Sequence, residues 1–196
     1  MSTQPNPYLT PEEYLAIERA AEFRSEYLDG GMYAMSGGTL NHAAIVGNTL
    51  FQLMSQLQGT KCRAFANDLR LHSAMHRMFT YPDIVVICGA PAFLDQRRDT
   101  IVDATVIVEV LSPSTKSYDR GDKFAFYRSL PSFADYLLLA QNAVQAEHHA
   151  RQPDGSWLLR EFSSPAAQIE LTSVGCRLDL GSLYTTVDFE PADFSG

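Results

Sequence analysis

The stretch "IVDATVIVEVLSPSTKSYDRGDKFAFYR", residues 101–128, holds the choice of fold. Val106, Ile107, Val108, Val110 and Leu111 make a run that is apolar at every position but one, the pattern of a strand buried on both faces. The exception is Glu109. An ionised carboxylate in such surroundings is costly unless a cation meets it, so Glu109 needs a partner. Beyond the strand, "SPST" reads as a turn and helix cap, with Pro113 favouring the turn and Ser114 or Thr115 capping the next helix. That helix is predicted from about Asp119 to Ser129. Lys123 and Tyr127, four residues apart, share one of its faces, while Phe124 and Phe126 offer apolar surface for docking.

Upstream, "YPDIVVIC" (residues 81–88) reads as a second buried strand interrupted by an acid. Side chains alternate across a strand, so Asp83 shares a face with Val85 and Ile87, and Glu109 shares one with Ile107. If the two strands pair, the carboxylates meet at one end of the sheet, and Glu26 or Asp68 could join them. Converging carboxylates repel unless a cation is present. Hard divalent ions such as Mg²⁺ or Mn²⁺ take one or two carboxylates plus waters and phosphate oxygens, which is the inventory available. The plainer alternative is that each acid pairs with an arginine or caps a loop.

Further out, "TPEEYLAIERAAE" carries Thr10 as N-cap, Pro11 at the first helical position and Glu13 to complete a capping box, predicting a helix to about Phe23. "SEYLDGGMYAMSGG" reads as a hairpin turning at Asp29, Gly30 and Gly31. From His42 to Gln58 an apolar stripe at helical spacing predicts a second helix. Strands are predicted in "CRAFANDLRLH", "YPDIVVIC", "TVIVEVL", "DYLLLA", "VQAEHHAR" and "SWLLREF", with a hairpin turn at "QPDGSW" and a long polar connection in "ICGAPAFLDQRRDTIVD". The order implies a mixed α/β or α+β domain with one twisted sheet flanked by helices.

A chain of 196 residues suits a single domain. No window reaches the roughly 18 apolar residues of a membrane span, and the N-terminal residues lack the basic start and apolar run of a signal peptide. Cys62, Cys88 and Cys176 are odd in number and widely spaced, predicting reduced thiols without disulfides in a cytoplasmic protein. The formal net charge of -8 weighs against nonspecific coating of nucleic acid. It leaves room for a local basic groove, since Lys61, Arg63, Arg70 and Arg77, then Lys116, Arg120, Lys123 and Arg128, fall in two stretches. Nothing supports a zinc site among the histidines, a GxSxG nucleophile or a P-loop.

"YPDIVVI" followed by "VIVEVLSPST" resembles the PD-(D/E)XK pattern of restriction-endonuclease-like nucleases. With "TPEEYLAI", "SEYLDG", "NHAAIVGNTL" and "EVLSPSTKSYDRGDKFAFYRSLPSFADYLLL", the chain resembles the Uma-two family of restriction endonucleases to about residue 160. The resemblance implies that Asp83 and Glu109 are metal ligands, that Glu26 is the acid of the N-terminal region, and that His42 and Asp68 are accessory positions. Two departures stand out. Leu111 occupies the position of the motif lysine, for which Lys123 on the following helix substitutes, with Tyr127 one turn later. Gly31 stands where relatives carry Glu. The implied activity is Mg²⁺- or Mn²⁺-dependent hydrolysis of DNA phosphodiesters, and a homodimer is expected because a small nuclease cutting both strands benefits from two-fold symmetry matching the duplex. The alternative is a non-catalytic interaction or regulatory module on the same fold, which Leu111 and the acidic charge favour, whereas the retention of Glu26, Asp83, Glu109 and Lys123 favours the nuclease.

Overall fold

The computed structural model describes residues 8–35, 37–113 and 115–189. Helix α1 (Pro11–Glu18) leads to the hairpin β1 (Ser25–Leu28) and β2 (Gly31–Ala34), then α2 (Leu40–Leu57). Strands β3 (Cys62–Ala66), β4 (Arg70–Ser73), β5 (Met78–Thr80), β6 (Ile84–Cys88), β7 (Thr100–Ile101) and β8 (Val106–Leu111) come after it. A broken helix is next, made of α3 (Lys116–Tyr118), a π-helical turn (Asp119–Lys123) and α4 (Phe124–Tyr127). The chain continues through β9 (Asp135–Ala140), β10 (Ala146–Arg151), β11 (Trp157–Phe162), β12 (Gln168–Leu171), β13 (Cys176–Asp179) and α5 (Leu180–Leu183).

The α+β class holds, but the strands divide among three sheets where the sequence suggested one. Six form a sheet in the order β11-β10-β9-β8-β6-β3, five a second in the order β2-β1-β5-β4-β7, and β12 pairs with β13. In the larger sheet β8 runs antiparallel to β6 and parallel to β9. Both faces of these central strands are covered. Ile84, Val86, Val106, Val108 and Val110 pack with Ile45, Leu53 and Leu57 of α2 and with Ile169 and Leu178 of the β12–β13 hairpin. Val85, Ile87, Ile107 and Leu111 pack with Tyr127, Phe133 and Tyr136, and with Leu71, Met78 and Ile101 of the second sheet. Leu111 thus serves the apolar core, as a leucine in place of a strand lysine should.

The capping box at α1 forms as expected: Thr10 N–H donates to Glu13 Oε2 at 2.8 Å and Glu13 N–H to Thr10 Oγ1 at 3.2 Å. The helix ends at Glu18 rather than Phe23, because Glu18 folds inward and accepts the Ser25 N–H at both carboxylate oxygens. "CRAFANDLRLH" is two strands, since Asn67 takes a left-handed φ of 56° and the chain passes from one sheet to the other. The helix over 119–129 starts earlier, at Lys116, and stops at Tyr127. Ser114 lies outside the described residues, and Thr115 occupies the N-cap position without a side-chain cap bond.

The cysteines correct the expectation of free thiols. Cys62 and Cys88 are Cα partners in the β3–β6 register and are joined as a disulfide, while Cys176 is free and buried. Sequence separation of 26 residues hid this pairing, which strand register creates. Among the described residues no helix is long and apolar enough to cross a membrane.

Candidate active site

The β6–β8 register pairs Ile84 with Val108, so the next positions outward are Asp83 and Glu109. Each acid grips the backbone beside the other: Asp83 N–H donates to Glu109 Oε2 at 3.3 Å, and Val110 N–H donates to Asp83 Oδ2 at 2.7 Å. The two strands therefore bring both acids to one end of the large sheet. Glu109 is buried with 3% exposure, whereas the Asp83 side chain keeps 16%. From the first turn of α2, His42 Nε2 lies 3.2 Å from Asp83 Oδ2, a bond that raises the His42 pKa against the opposing effect of burial.

The broken helix supplies the cation. Lys123 Nζ is 3.2 Å from Glu109 Oε1, 3.2 Å from Glu26 Oε1 and 3.3 Å from Asp119 Oδ1. Its ammonium also sits 5.5 Å from the ring of Tyr118. The Tyr127 hydroxyl donates to Glu109 Oε1 at 2.8 Å. Glu26 arrives from β1, where the Thr80 hydroxyl of neighbouring β5 donates to it and Tyr81 N–H lies 3.4 Å away. Glu109 thus meets a cation carried by the chain itself, and Lys123 answers the question its burial raised.

Burial pushes the Glu109 carboxyl up to about 8, with Lys123 opposing and Asp83, Asp119 and Glu26 adding to the rise. Burial also raises Asp119. Burial alone would lower the Lys123 pKa, but Glu109, Glu26 and Asp119 outweigh it and hold the ammonium well above its ordinary value. Burial and the neighbouring acids thus work against an ionised Glu109, while the Lys123 ammonium works for it. Four acids, Glu26, Asp83, Glu109 and Asp119, face one lysine and one histidine.

Of the residues expected from sequence, Glu26, Asp83, Glu109, Lys123, Tyr127 and His42 converge. Asp68 does not: its side chain is 81% exposed and pairs with Arg24 at 2.6 Å. Asp119 was missed, although its spacing of four residues before Lys123 on a helix is the signal that marks it. Thr80 had no such signal, because β5 is only three residues long and meets β1 from far along the chain.

Among the described residues no preformed group of three or more His, Cys, Asp or Glu side chains could hold a metal ion. Mg²⁺ does not need one, since it keeps several waters and takes one or two carboxylates. Asp83 and Glu109 are two carboxylates of the kind such an ion takes.

Residues 11–181 match the family model Uma2, described as "Putative restriction endonuclease". Two uncharacterized proteins of Synechocystis sp. (strain ATCC 27184 / PCC 6803 / Kazusa) are similar. Protein slr1290 is 35% identical over 94% of this chain and 96% of its own length, and sll1609 is 34% identical over 84% and 93%. The fold matches that of a crystal structure from Anabaena variabilis ATCC 29413 described as "a putative nuclease belonging to DUF820". The TM-score is 0.75 at 18% identity, covering 90% of this chain and 98% of the other. The chain belongs to the Uma2 family.

Proposed function

We propose that this member of the Uma2 family is a metal-dependent nuclease that hydrolyses DNA phosphodiesters at the Asp83–Glu109 end of the large sheet. The observation that carries the reading is the placement of Lys123 within 3.3 Å of three carboxylates, beside Asp83 and His42. A core built for stability alone gains little from so many buried charges, since desolvation offsets their attraction. The family description and the fold of the Anabaena protein support the same reading.

Asp83 and Glu109 would hold Mg²⁺ or Mn²⁺. Such an ion, when bound, would supply a water of lowered pKa and offset charge on the scissile phosphate. Tyr127 and Lys123, both bonded to Glu109 Oε1, fix that carboxylate and leave Oε2 turned toward Asp83. Lys123 keeps its proton, so it acts by charge rather than as a base. It stands in for the strand lysine that Leu111 replaces. His42, held by Asp83 and partly exposed, would contact phosphate. A DNA substrate implies the cytoplasm, where thiol poise decides whether Cys62 and Cys88 stay joined.

The satisfied state of Glu109 favours the second reading, a non-catalytic module in which the cluster is structural. Mg²⁺ or Mn²⁺ titration of wild type, Asp83→Asn and Glu109→Gln separates the two, combined with cleavage assays on single- and double-stranded DNA. The nuclease reading expects both variants to lose metal binding and to lose cleavage by roughly two or more orders of magnitude. A wild type that binds no metal and cuts neither substrate supports the module.

A further inference from the structure

A cavity of about 480 Å³ opens between the edge of the large sheet and the loop that precedes β7. Phe65 of β3, Ile87 of β6, Phe93 and Arg98 of the loop, and Ile101 of β7 wall it. Register places Arg63 opposite Ile87 and Phe65 opposite Val85, so both β3 side chains share the sheet face on which Glu109 and Tyr127 meet. Val85 is two residues from Asp83, roughly 7 Å along the strand. Asn67 N–H donates to the Asp83 carbonyl at 3.0 Å, which ties the cavity's near wall to the acids.

Among the described residues the arginines divide into those paired with an acid and those without an ion pair, the latter including Arg128, Arg151 and Arg160 away from this cavity. Arg19, Arg24, Arg77, Arg120 and Arg177 are each neutralised by an acid. Arg63, Arg97 and Arg98 are exposed and make no ion pair among the described residues. All three belong to the strand and loop that form the cavity. Among the described residues that line the cavity Asp68 is the one acid, held by Arg24 at 2.6 Å, and Asp95 and Asp99 of the loop are held by Arg19 at 2.7 Å each. Arg98 lies over the Phe93 ring at 4.9 Å, and Phe65 is 36% exposed.

Unpaired arginines beside flat aromatic faces recognise a phosphate backbone whose bases are free to stack on the protein. A duplex offers the first feature without the second, because its bases are stacked on one another. We propose that the cavity binds single-stranded DNA. One unpaired base stacks on Phe65 while Arg63 and Arg97 contact flanking phosphates, and the strand runs from there to Asp83 and Glu109. The direction of the strand rests on the nuclease reading; the binding itself does not.

The test is fluorescence anisotropy in EDTA, where cleavage plays no part, using a labelled DNA of about 15 nucleotides as a single strand and as the matching duplex. The single strand should bind roughly tenfold or more tighter than the duplex, and Phe65→Ala should lose about tenfold on the single strand alone. Phe65→Tyr should retain affinity. An abasic strand should weaken wild type to the level of Phe65→Ala and leave that variant unchanged. Equal binding of both DNAs by wild type, or full affinity in a folded Phe65→Ala, overturns the proposal. If these expectations hold while Mg²⁺ elicits no cleavage, the nuclease reading fails and the binding site stands. If Phe65→Ala cuts duplex at the wild-type rate and binds single strand normally, the binding site fails and the nuclease stands.

Discussion

Two donors, Lys123 and Tyr127, meet Glu109 at the same oxygen, Oε1. Its carboxyl is nevertheless pushed up to about 8, because burial outweighs the nearby ammonium. A carboxyl whose folded pKa lies above its unfolded value takes up a proton on folding. Its contribution to stability is complete below the unfolded pKa and is lost as pH rises through the folded one. The melting temperature of metal-free wild type should therefore fall from about pH 5 to about pH 8, between the ordinary carboxylate value and the raised one. Glu109→Gln, which cannot ionise, should flatten that slope; an unchanged slope by calorimetry would show that Glu109 is already ionised at neutral pH.

The broken helix aligns Asp119, Lys123 and Tyr127 along the side that faces the acids. Its π-helical turn lies between the first two of them, and the Tyr136 hydroxyl donates to the Asp119 carbonyl within it at 3.0 Å. Turns of this kind recur at functional sites because they re-aim side chains without ending the helix. Phe124 anchors the element by stacking on Tyr136 at 5.4 Å and meeting Trp157 edge-on at 5.2 Å. With 6% exposure and three carboxylate partners, Lys123 holds the helix to β1 and β8. Its burial ties Lys123 to the stability of the fold as well as to the chemistry of the site. Removing one side of a buried ion cluster costs about 3–5 kcal/mol, so Lys123→Met should be markedly less stable in denaturant titrations. Added Mg²⁺ should recover more stability in the variant than in wild type, because three acids then lack their cation. Equal stability of the two proteins would make the cluster energetically idle.

At the scale of the molecule, α2 presents an unusual outer face. Its 18 residues include no Asp, Glu, Lys or Arg, and Leu40, Phe51 and Met54 are 80%, 72% and 52% exposed along a stripe that also includes Ala43 and Gly47. An uncharged apolar stripe of this length is characteristic of a protein contact, and its lack of cations does not suit DNA. In the homodimer that the sequence analysis expects, this stripe is where a second copy of the helix would pack. A small residue at the middle, Gly47, would let two such copies cross closely about a two-fold axis. Each copy of α2 also carries His42, so such a dimer would set its two sites in a fixed relation. Light scattering should give a dimeric mass for wild type and a monomeric mass for Phe51→Glu. A monomeric wild type at micromolar concentration removes the homodimer.

The local features were legible in sequence because they depend on near neighbours. The capping box at Thr10 and Glu13, the Asp29–Gly30 turn, the stripe of α2 and the shared helical face of Lys123 and Tyr127 all stem from spacings of a few residues. Asp83 and Glu109 were legible because each breaks an apolar strand, an energetic anomaly visible without coordinates. Three features depended on tertiary structure. Strand register joined Cys62 to Cys88 across 26 residues. The separation of β4 and β5 into a second sheet brought Thr80 to Glu26 and left Asp68 at the surface. The docking of the broken helix placed Lys123 against Glu109, so that the carboxylate's first partner is an ammonium of its own chain. The physical reason is common to all three: pairing across sheets and faces is decided by the packing of the whole core, and sequence periodicity reports which face a side chain occupies, not which distant residue will lie opposite it.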